Sequence, residues 1–413
     1  LGGSRALRLR PPHHVQSHLV NIQSRWHASP LRATCCRGHT DGSDDRNPRA
    51  VTEEHSAFRK AVRDVVEREI APHVDEWARA GTFPAHDLFP KLGELGLLGL
   101  EWDPEYGGQG ADHLYTVILC EELTRAGAAG MPMVIGMQTC MATPSLHEFG
   151  SDDLERRYLT PAIASTQVCS IAVIEAGADV ASIRTRAIRD SDEWGINGSK
   201  LYITNGTQAD WLCLLVRTCD DGGYRGMSQI VVETSSPGLT VSRKLDKLGN
   251  RSSDTAELSF VDVRVPVANT IGTEGRGFQQ QMAQFVVERM FAAYGVPTSV
   301  RRALRRTSDY LKEREVFGKP LMSNQYLAFR LAELSAQADL LQAQNYACAE
   351  AYMAGEDTTR LATVAKLVSG RLIREAPTPA CSSTAASATW RRPGRRGSSA
   401  TAACCRSAAV RAR

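Results

Sequence analysis

The sequence predicts an α+β protein of several domains: an N-terminal α-helical domain, a middle β-barrel or β-sandwich domain, and a truncated C-terminal helical bundle. Two changes of pattern predict this order. Apolar residues recur at helical spacing before residue 168 and after residue 272, and short β-rich runs fill the region between. With 413 residues and 42% hydrophobic side chains, the chain can bury a large core.

The first helical domain is predicted for residues 51–167. Apolar residues of its first helix lie near three-and-four spacing, which is typical of one buried helix face. They are Phe58, Val62, Val65, Val66 and Ile70. The glycines of PEYGGQG, at 104–110, predict a structural loop with a tight turn between helices.

The middle β domain is predicted for residues 168–272. Its runs include CSIAVIE, KLYITNG, DWLCLLVRT and SQIVVET, and most of them end at Gly, Asn, Asp or Pro. The helical period returns over residues 273–376, the predicted C-terminal domain, and stops at Pro377.

The ends of the chain differ from its interior. Residues 1–40 contain six arginines and no Asp or Glu, which predicts a mitochondrial transit peptide within residues 1–50 and a place in the mitochondrial matrix. A disordered basic tail is the alternative. The net charge of +3 is misleading, because arginines are concentrated at the two ends of the chain and the interior has no excess of basic residues. No nucleic-acid partner is therefore predicted, and no apolar run is long enough for a membrane span.

The interior cysteines stand singly in apolar or mixed segments, without the spacing of metal ligands. They are Cys120, Cys140, Cys169, Cys213, Cys219 and Cys348. We expect reduced cysteines that pack in the interior, and no metal site.

Five motifs occur in a familiar order: PEYGGQG, KLYITNGTQADW, KLGNRSSDTAELSFVDVRVP, VVERM and REVFGKPL. Over residues 53–376 the chain therefore resembles the acyl-CoA dehydrogenase family. The resemblance implies FAD as cofactor and fatty or branched acyl-CoA as substrate, as in fatty-acid β-oxidation. It also implies electron-transfer flavoprotein as partner, and a homotetramer or homodimer.

Glu288 is the predicted catalytic base. It lies three residues after Phe285 and four before Ala292, with Met282 one turn further back, on a stripe expected to face inward. Spacing alone favours a solvated Glu-Arg pair over a catalytic residue. The resemblance to long-chain and isovaleryl branches implies that Glu288 removes the α proton of the substrate, with Val286 and Arg289 at the substrate site.

The resemblance also implies flavin contacts. It puts Tyr202 against the isoalloxazine, the Thr204 hydroxyl on flavin N5 and Ile203 between them, where the bare pattern predicts an ordinary strand and an Asn-Gly turn. Arg314, Phe317 and Gln325 match positions that reach the FAD of a neighbouring subunit, with the arginine on the pyrophosphate. Without the resemblance, these three residues form a helix end and a turn.

The flavin loop AVIEAGADVASIRT departs from the family pattern. Ala172 keeps its place at the flavin, but the loop is two residues shorter than usual, and Ile174 replaces a threonine and Ala178 a serine. A hydrogen bond to the flavin and one to the CoA arm are therefore expected to be absent. Whether FAD still binds stays open.

The tail, residues 377–413, predicts a change of reading frame. Read out of frame, residues 381–390 can encode Leu-Gln-Leu-His-Gly-Gly-Phe-Gly-Tyr-Met, and residues 400–407 can encode Arg-Asp-Gly-Arg-Val-Leu-Pro-Ile, both in family order. We hypothesise a frameshift near Ala376. In the shifted reading frame, the codon that ends with the first two bases of the Ala409 codon cannot encode glutamate. This supports Glu288 as the base.

Two other classes stay open. The shortened loop and altered tail fit a catalytically inactive protein with the same fold. An acyl-CoA oxidase, in which oxygen takes the electrons, is a further alternative, but the longer oxidase architecture is not indicated.

Overall fold

The computed structural model describes residues 51–177, 179–220 and 222–376. The predictions for residues 1–50, Ala178 and residues 377–413 lie outside the described residues. Within them, helices come first, then a sheet, then helices again, so the predicted fold class is confirmed. None of the described helices combines the length and apolar character that a bilayer span needs.

Between residue 51 and the sheet, the structure describes eight α-helices. They are α1 Glu53–Val65, α2 Val74–Ala80, α3 Ala85–Glu94, α4 His113–Arg125, α5 Gly130–Gly136, α6 Pro144–Phe149, α7 Asp152–Leu154 and α8 Thr160–Ile163. Thr52 begins α1 with a reciprocal cap, because its hydroxyl accepts from the His55 amide and its own amide donates to the His55 ring. The five predicted apolar residues of this region are buried. A π-helical turn, Met137–Met141, continues α5.

The middle region is one eight-stranded sheet with the order β6-β7-β3-β2-β4-β5-β8, and β1 pairs in parallel with β4. Its strands are β1 Cys169–Ala172, β2 Arg186–Asp190, β3 Glu193–Thr204, β4 Trp211–Arg217, β5 Met227–Glu233, β6 Leu239–Lys244, β7 Thr255–Pro266 and β8 Thr270–Ile271. β4 is buried along its whole length, which explains why DWLCLLVRT is almost continuously apolar.

Four α-helices follow the sheet up to residue 376, where the described part of the chain ends. They are α9 Gly277–Tyr294, α10 Val296–Glu313, α11 Gln325–Met353 and α12 Thr359–Glu375. A short hairpin of β9 Glu315–Val316 and β10 Lys319–Pro320 connects α10 to α11. Helix α9 also packs against β4, β5 and the turn Met137–Met141, so it joins all three parts of the molecule.

The PEYGGQG loop forms a 3₁₀ turn, Pro104–Tyr106, followed by Gly107 in the left-handed region with φ of 95°. A Cβ at Gly108 would lie 2.0 Å from the Trp102 carbonyl oxygen. The close approach of the two backbones requires glycine at this position.

The expectation that every interior cysteine packs in the core is wrong for Cys219, which is exposed in the hairpin after β4. The other five are buried. Turn residues surround Cys219, so no apolar element covers its thiol.

Candidate active site

Glu288 lies in the middle of α9, on the side that faces the sheet and the turn Met137–Met141. Its carboxyl is close enough to Cys140 and Cys213 for its charge to act on both buried thiols. Burial raises the pKa of Glu288 from 4.5 to about 8. A hydrogen bond from Gln284 Nε2 to Glu288 Oε1, 3.4 Å long, and the charge of Arg289 offset part of this rise.

The predicted inward stripe is only partly correct. Met282, Phe285 and Glu288 are partly buried, but Ala292 is exposed. The fully buried face of α9 includes Gln280, Gln281 and Gln284, together with Met290, Phe291 and Tyr294. An apolar stripe therefore does not mark the core face here, because buried amides are paired with polar groups of neighbouring elements.

Apolar side chains from three elements pack against the core cluster that contains Cys140, a thiol close to Glu288. Val286, which the resemblance put at the substrate site, is partly buried with Val287, Ile171 and Met133 against one core cluster. The sequence did not predict that Ile171 and Met133 pack beside Val286. Ile171 could have been found from the two-residue period of β1, which puts it on the opposite face from Ala172.

The predicted flavin residues on β3 face in different directions. Tyr202 has a left-handed φ of 63° at an irregularity of the β3–β7 pairing, and its side chain is 44% exposed. The Ile203 side chain is buried in the sheet core, so only its main chain can contact a ligand. The Thr204 hydroxyl has no hydrogen-bond partner within the described part of the chain, while its carbonyl accepts from Ser170 Oγ at 2.5 Å.

The end of β1 lies beside β3. Ala172 is buried in the sheet core, so its contribution is also limited to the main chain. Ile174 accepts a hydrogen bond from the Leu201 amide at 2.8 Å, and its side chain packs with Phe285 of α9 against one cluster. Ile174 thus lies beside β3 and beside the helix that carries Glu288.

A buried ion pair anchors the shortened loop, and sequence reasoning missed it. Lys200 has 0% exposure and donates to the Val173 carbonyl and to Glu175 Oε1, both at 2.9 Å. Glu175 also accepts from the Arg184 amide and from the Thr185 amide and hydroxyl. The charge of Lys200 and these donors outweigh burial and lower the Glu175 pKa.

These residues fit a flavin. An isoalloxazine has an apolar face and hydrogen-bonding atoms along its edge. On β3, Tyr202 offers an exposed ring, and two residues later Thr204 offers a hydroxyl that has no partner among the described residues. Close by, the Asn205 side-chain oxygen is buried without a partner in the described residues. No three His, Cys, Asp or Glu side chains in the described ranges are arranged to hold a metal ion.

Arg314, Phe317 and Gln325 lie apart from Glu288. All three are exposed, around the β9–β10 hairpin and the first residue of α11. Phe317 is fully exposed with a left-handed φ of 54°. The structure does not bring these residues into the site of the same chain.

A cavity of about 630 Å³ opens where α9 begins. Its lining is Thr218, Cys219, Tyr224, Arg225, Gly226, Glu274, Gly275, Arg276 and Gln279. The Tyr224 ring lies 5.8 Å from the ring of Phe278, which packs with Phe285 and Ile174 against one apolar cluster. The cavity is therefore next to the apolar cluster that Ile174 and Phe285 share, and two arginines border it.

Comparison with known proteins identifies the family. The family models of the acyl-CoA dehydrogenase N-terminal, middle and C-terminal domains match residues 52–166, 171–263 and 275–382. An acyl-CoA dehydrogenase of Bacillus subtilis is 34% identical over 318 residues, which is 76% of this chain and 83% of that protein.

Two further proteins are similar. The mitochondrial long-chain specific acyl-CoA dehydrogenase of Sus scrofa is 33% identical over 69% of this chain and 67% of its own length. A crystal structure of a probable acyl-CoA dehydrogenase from Mycobacterium abscessus superposes with a TM-score of 0.81 at 37% identity, and covers 86% of this chain and 94% of that one. The chain belongs to the acyl-CoA dehydrogenase family, whose members are FAD-dependent oxidoreductases.

Proposed function

We propose that this protein introduces the α,β double bond into a fatty or branched acyl-CoA, with Glu288 as the catalytic base. The main support for this proposal is that burial raises the pKa of the partly buried Glu288 to about 8. A base must hold a proton strongly enough to remove it from a weakly acidic α carbon, and a dry surrounding raises its proton affinity.

The reaction removes two hydrogens from the substrate, one as a proton and one together with an electron pair. The α C–H bond breaks, its proton forms an O–H bond with the Glu288 carboxylate, and the electron pair stays to form the double bond. Bound FAD would supply the acceptor for the β hydrogen and its electron pair. Val286, Val287 and Ile171 pack against the core cluster that contains Cys140, and in this proposal they give the acyl chain an apolar surface.

Tyr202 and Thr204 hold the flavin in this proposal, with main-chain contacts from Ala172, Ile174 and Ile203. The isolated Thr204 hydroxyl supports this role, because it can donate to an acceptor on the ring edge. The Lys200–Glu175 pair joins the start of the loop to β3.

The cavity at the start of α9 takes the phosphate-bearing end of CoA. Arg225 and Arg276 supply positive charge there, and Tyr224 offers a ring for stacking. Arg289 is next to the base, at the substrate site. The predicted contact of Ala178 with the CoA arm lies outside the described residues.

The protein acts as a homodimer or homotetramer in this proposal. Arg314, Phe317 and Gln325 are exposed away from Glu288, as expected for residues that complete the flavin site of another copy. Electron-transfer flavoprotein takes the electrons, and the arginine-rich residues 1–40 direct the protein to the mitochondrial matrix.

A catalytically inactive protein is the second candidate. Ile174 has no hydroxyl to offer the flavin, and the aliphatic side chains of Leu340 and Leu367 are exposed on the C-terminal helices. Both features would accompany a weakened cofactor site.

Flavin absorbance distinguishes the candidates. Purified wild-type protein should carry FAD, and anaerobic addition of an acyl-CoA should bleach it, with recovery when electron-transfer flavoprotein is supplied. Glu288→Gln should retain the flavin and lose the bleaching. Glu350→Gln is the matched control, because this exposed glutamate lies on α11. Colourless wild-type protein would support the inactive candidate, and bleaching by Glu288→Gln would refute the assignment of the base.

A further inference from the structure

Two buried polar side chains lead from α6 to the Glu288 carboxyl. The Ser145 hydroxyl donates a hydrogen bond to Gln284 Oε1, and Gln284 Nε2 donates to Glu288 Oε1 at 3.4 Å. Ser145 is 1% exposed and Gln284 is 4% exposed, so water does not replace either contact. Gln284 and Glu288 are four residues apart, on neighbouring turns of one helix face.

The chemistry of the three groups determines how the amide is oriented. An ionised carboxylate only accepts hydrogen bonds, so the amide must present its NH₂ group to Glu288 and its oxygen to Ser145. After Glu288 gains the α proton, its O–H becomes a donor. The amide can then turn over, because a serine hydroxyl can accept as well as donate.

We propose that Gln284, held by Ser145, is a positioning residue that orients the Glu288 carboxyl and favours its ionised form. The inference rests on the proposed role of Glu288 as the base. A donor that points at a carboxylate stabilises the charged form and lowers the pKa. Glu288 can therefore stay ionised, and accept a proton, at a lower pH than burial alone would allow. The long contact is expected to shorten when substrate fills the site.

Among the described residues, Arg289 acts on the charge of Glu288, and the charge of Glu288 acts on two buried thiols. Arg289 lies on α9 itself, Cys140 comes from the turn Met137–Met141, and Cys213 comes from β4. Burial raises the pKa of both thiols, that of Cys213 to about 12, so they remain neutral while the base titrates. A shift caused by the Gln284 amide is therefore separable from theirs.

The test is the pH dependence of acyl-CoA dehydrogenation in the holoenzyme. Gln284→Met removes the amide and keeps the side-chain length, so the rising limb of kcat should move up by about one pH unit, with about tenfold less activity at pH 7 and recovery at high pH. Ser145→Ala should move it less, in the same direction, and Ser145→Thr should restore it. The Glu288 carboxyl band in pH-difference infrared spectra should follow the same shifts without turnover.

Gln281→Met is the matched control. Gln281 is fully buried on the same helix, but its amide oxygen accepts from Gln229 Nε2 at 3.1 Å instead of facing the base. It should leave the titration of Glu288 unchanged. Wild-type titration in both Gln284→Met and Ser145→Ala, with Glu288→Gln inactive, would refute the positioning role. Turnover by Glu288→Gln would instead refute the base itself.

Discussion

Replacement of Glu288 by glutamine should stabilise the folded protein, and by more as the pH rises. The folded-state pKa of Glu288 is about 8, because burial disfavours its charge, whereas the group ionises near 4.5 when unfolded. Between these values the folded state binds more protons than the unfolded state. The stability of the wild-type protein therefore falls as pH rises from about 4.5, and the loss is complete above about 8.

The difference between the two pKa values corresponds to at most about 5 kcal/mol at high pH. The Glu288 side chain is only partly buried and can relax toward water when it ionises. We therefore expect the wild-type protein to lose only about 2–3 kcal/mol of unfolding free energy at high pH. Glutamine has nearly the same shape and carries no charge, so the variant should not lose this stability.

Urea unfolding at pH 5 and pH 9, at equal FAD concentration, measures the effect. Glu288→Gln should unfold near the wild-type midpoint at pH 5 and at clearly higher urea at pH 9. Glu350→Gln, which changes an exposed carboxyl, should track the wild type at both values. If the urea midpoints of Glu288→Gln and the wild type differ equally at pH 5 and pH 9, the pKa of Glu288 is not raised in the folded protein.

Three further outcomes are expected. Lys200→Met should cost about 3–5 kcal/mol in urea unfolding, because it leaves the Glu175 charge uncompensated, and Lys200→Met with Glu175→Gln should recover most of it. Gly108→Ala should lower the thermal midpoint, because its Cβ would lie 2.0 Å from a backbone oxygen. Phe317→Ser should leave the fold intact but reduce the assembly size in light scattering and the bound flavin per chain, because this exposed ring is proposed to serve another copy.

Local patterns predicted the order of helices and strands well. The spacing of apolar residues located α1, because a surface helix buries one face. The continuous apolar run of β4 located a strand buried on both faces. These features depend on neighbours in the sequence, so the sequence alone contains them.

The details of the site depend on contacts between distant segments. Ser145 and Gln284 are 139 residues apart, and no spacing rule connects them. Likewise, the two-residue period of β3 is interrupted between Lys200 and Ile203, so alternation alone could not say which of its side chains is exposed. The directions of Tyr202 and Thr204 follow from this irregularity.

Two carboxylates show why burial does not identify a base. Glu175 and Glu288 both carry a desolvation penalty, but their pKa values move in opposite directions. Glu175 accepts from Lys200 Nζ, from the Thr185 amide and hydroxyl and from the Arg184 amide, whereas Glu288 accepts one long hydrogen bond from Gln284. The difference lies in the donors, which keep Glu175 charged and structural and leave Glu288 ready to take a proton. In the sequence, both residues are single glutamates in apolar segments, and only the folded chain distinguishes them.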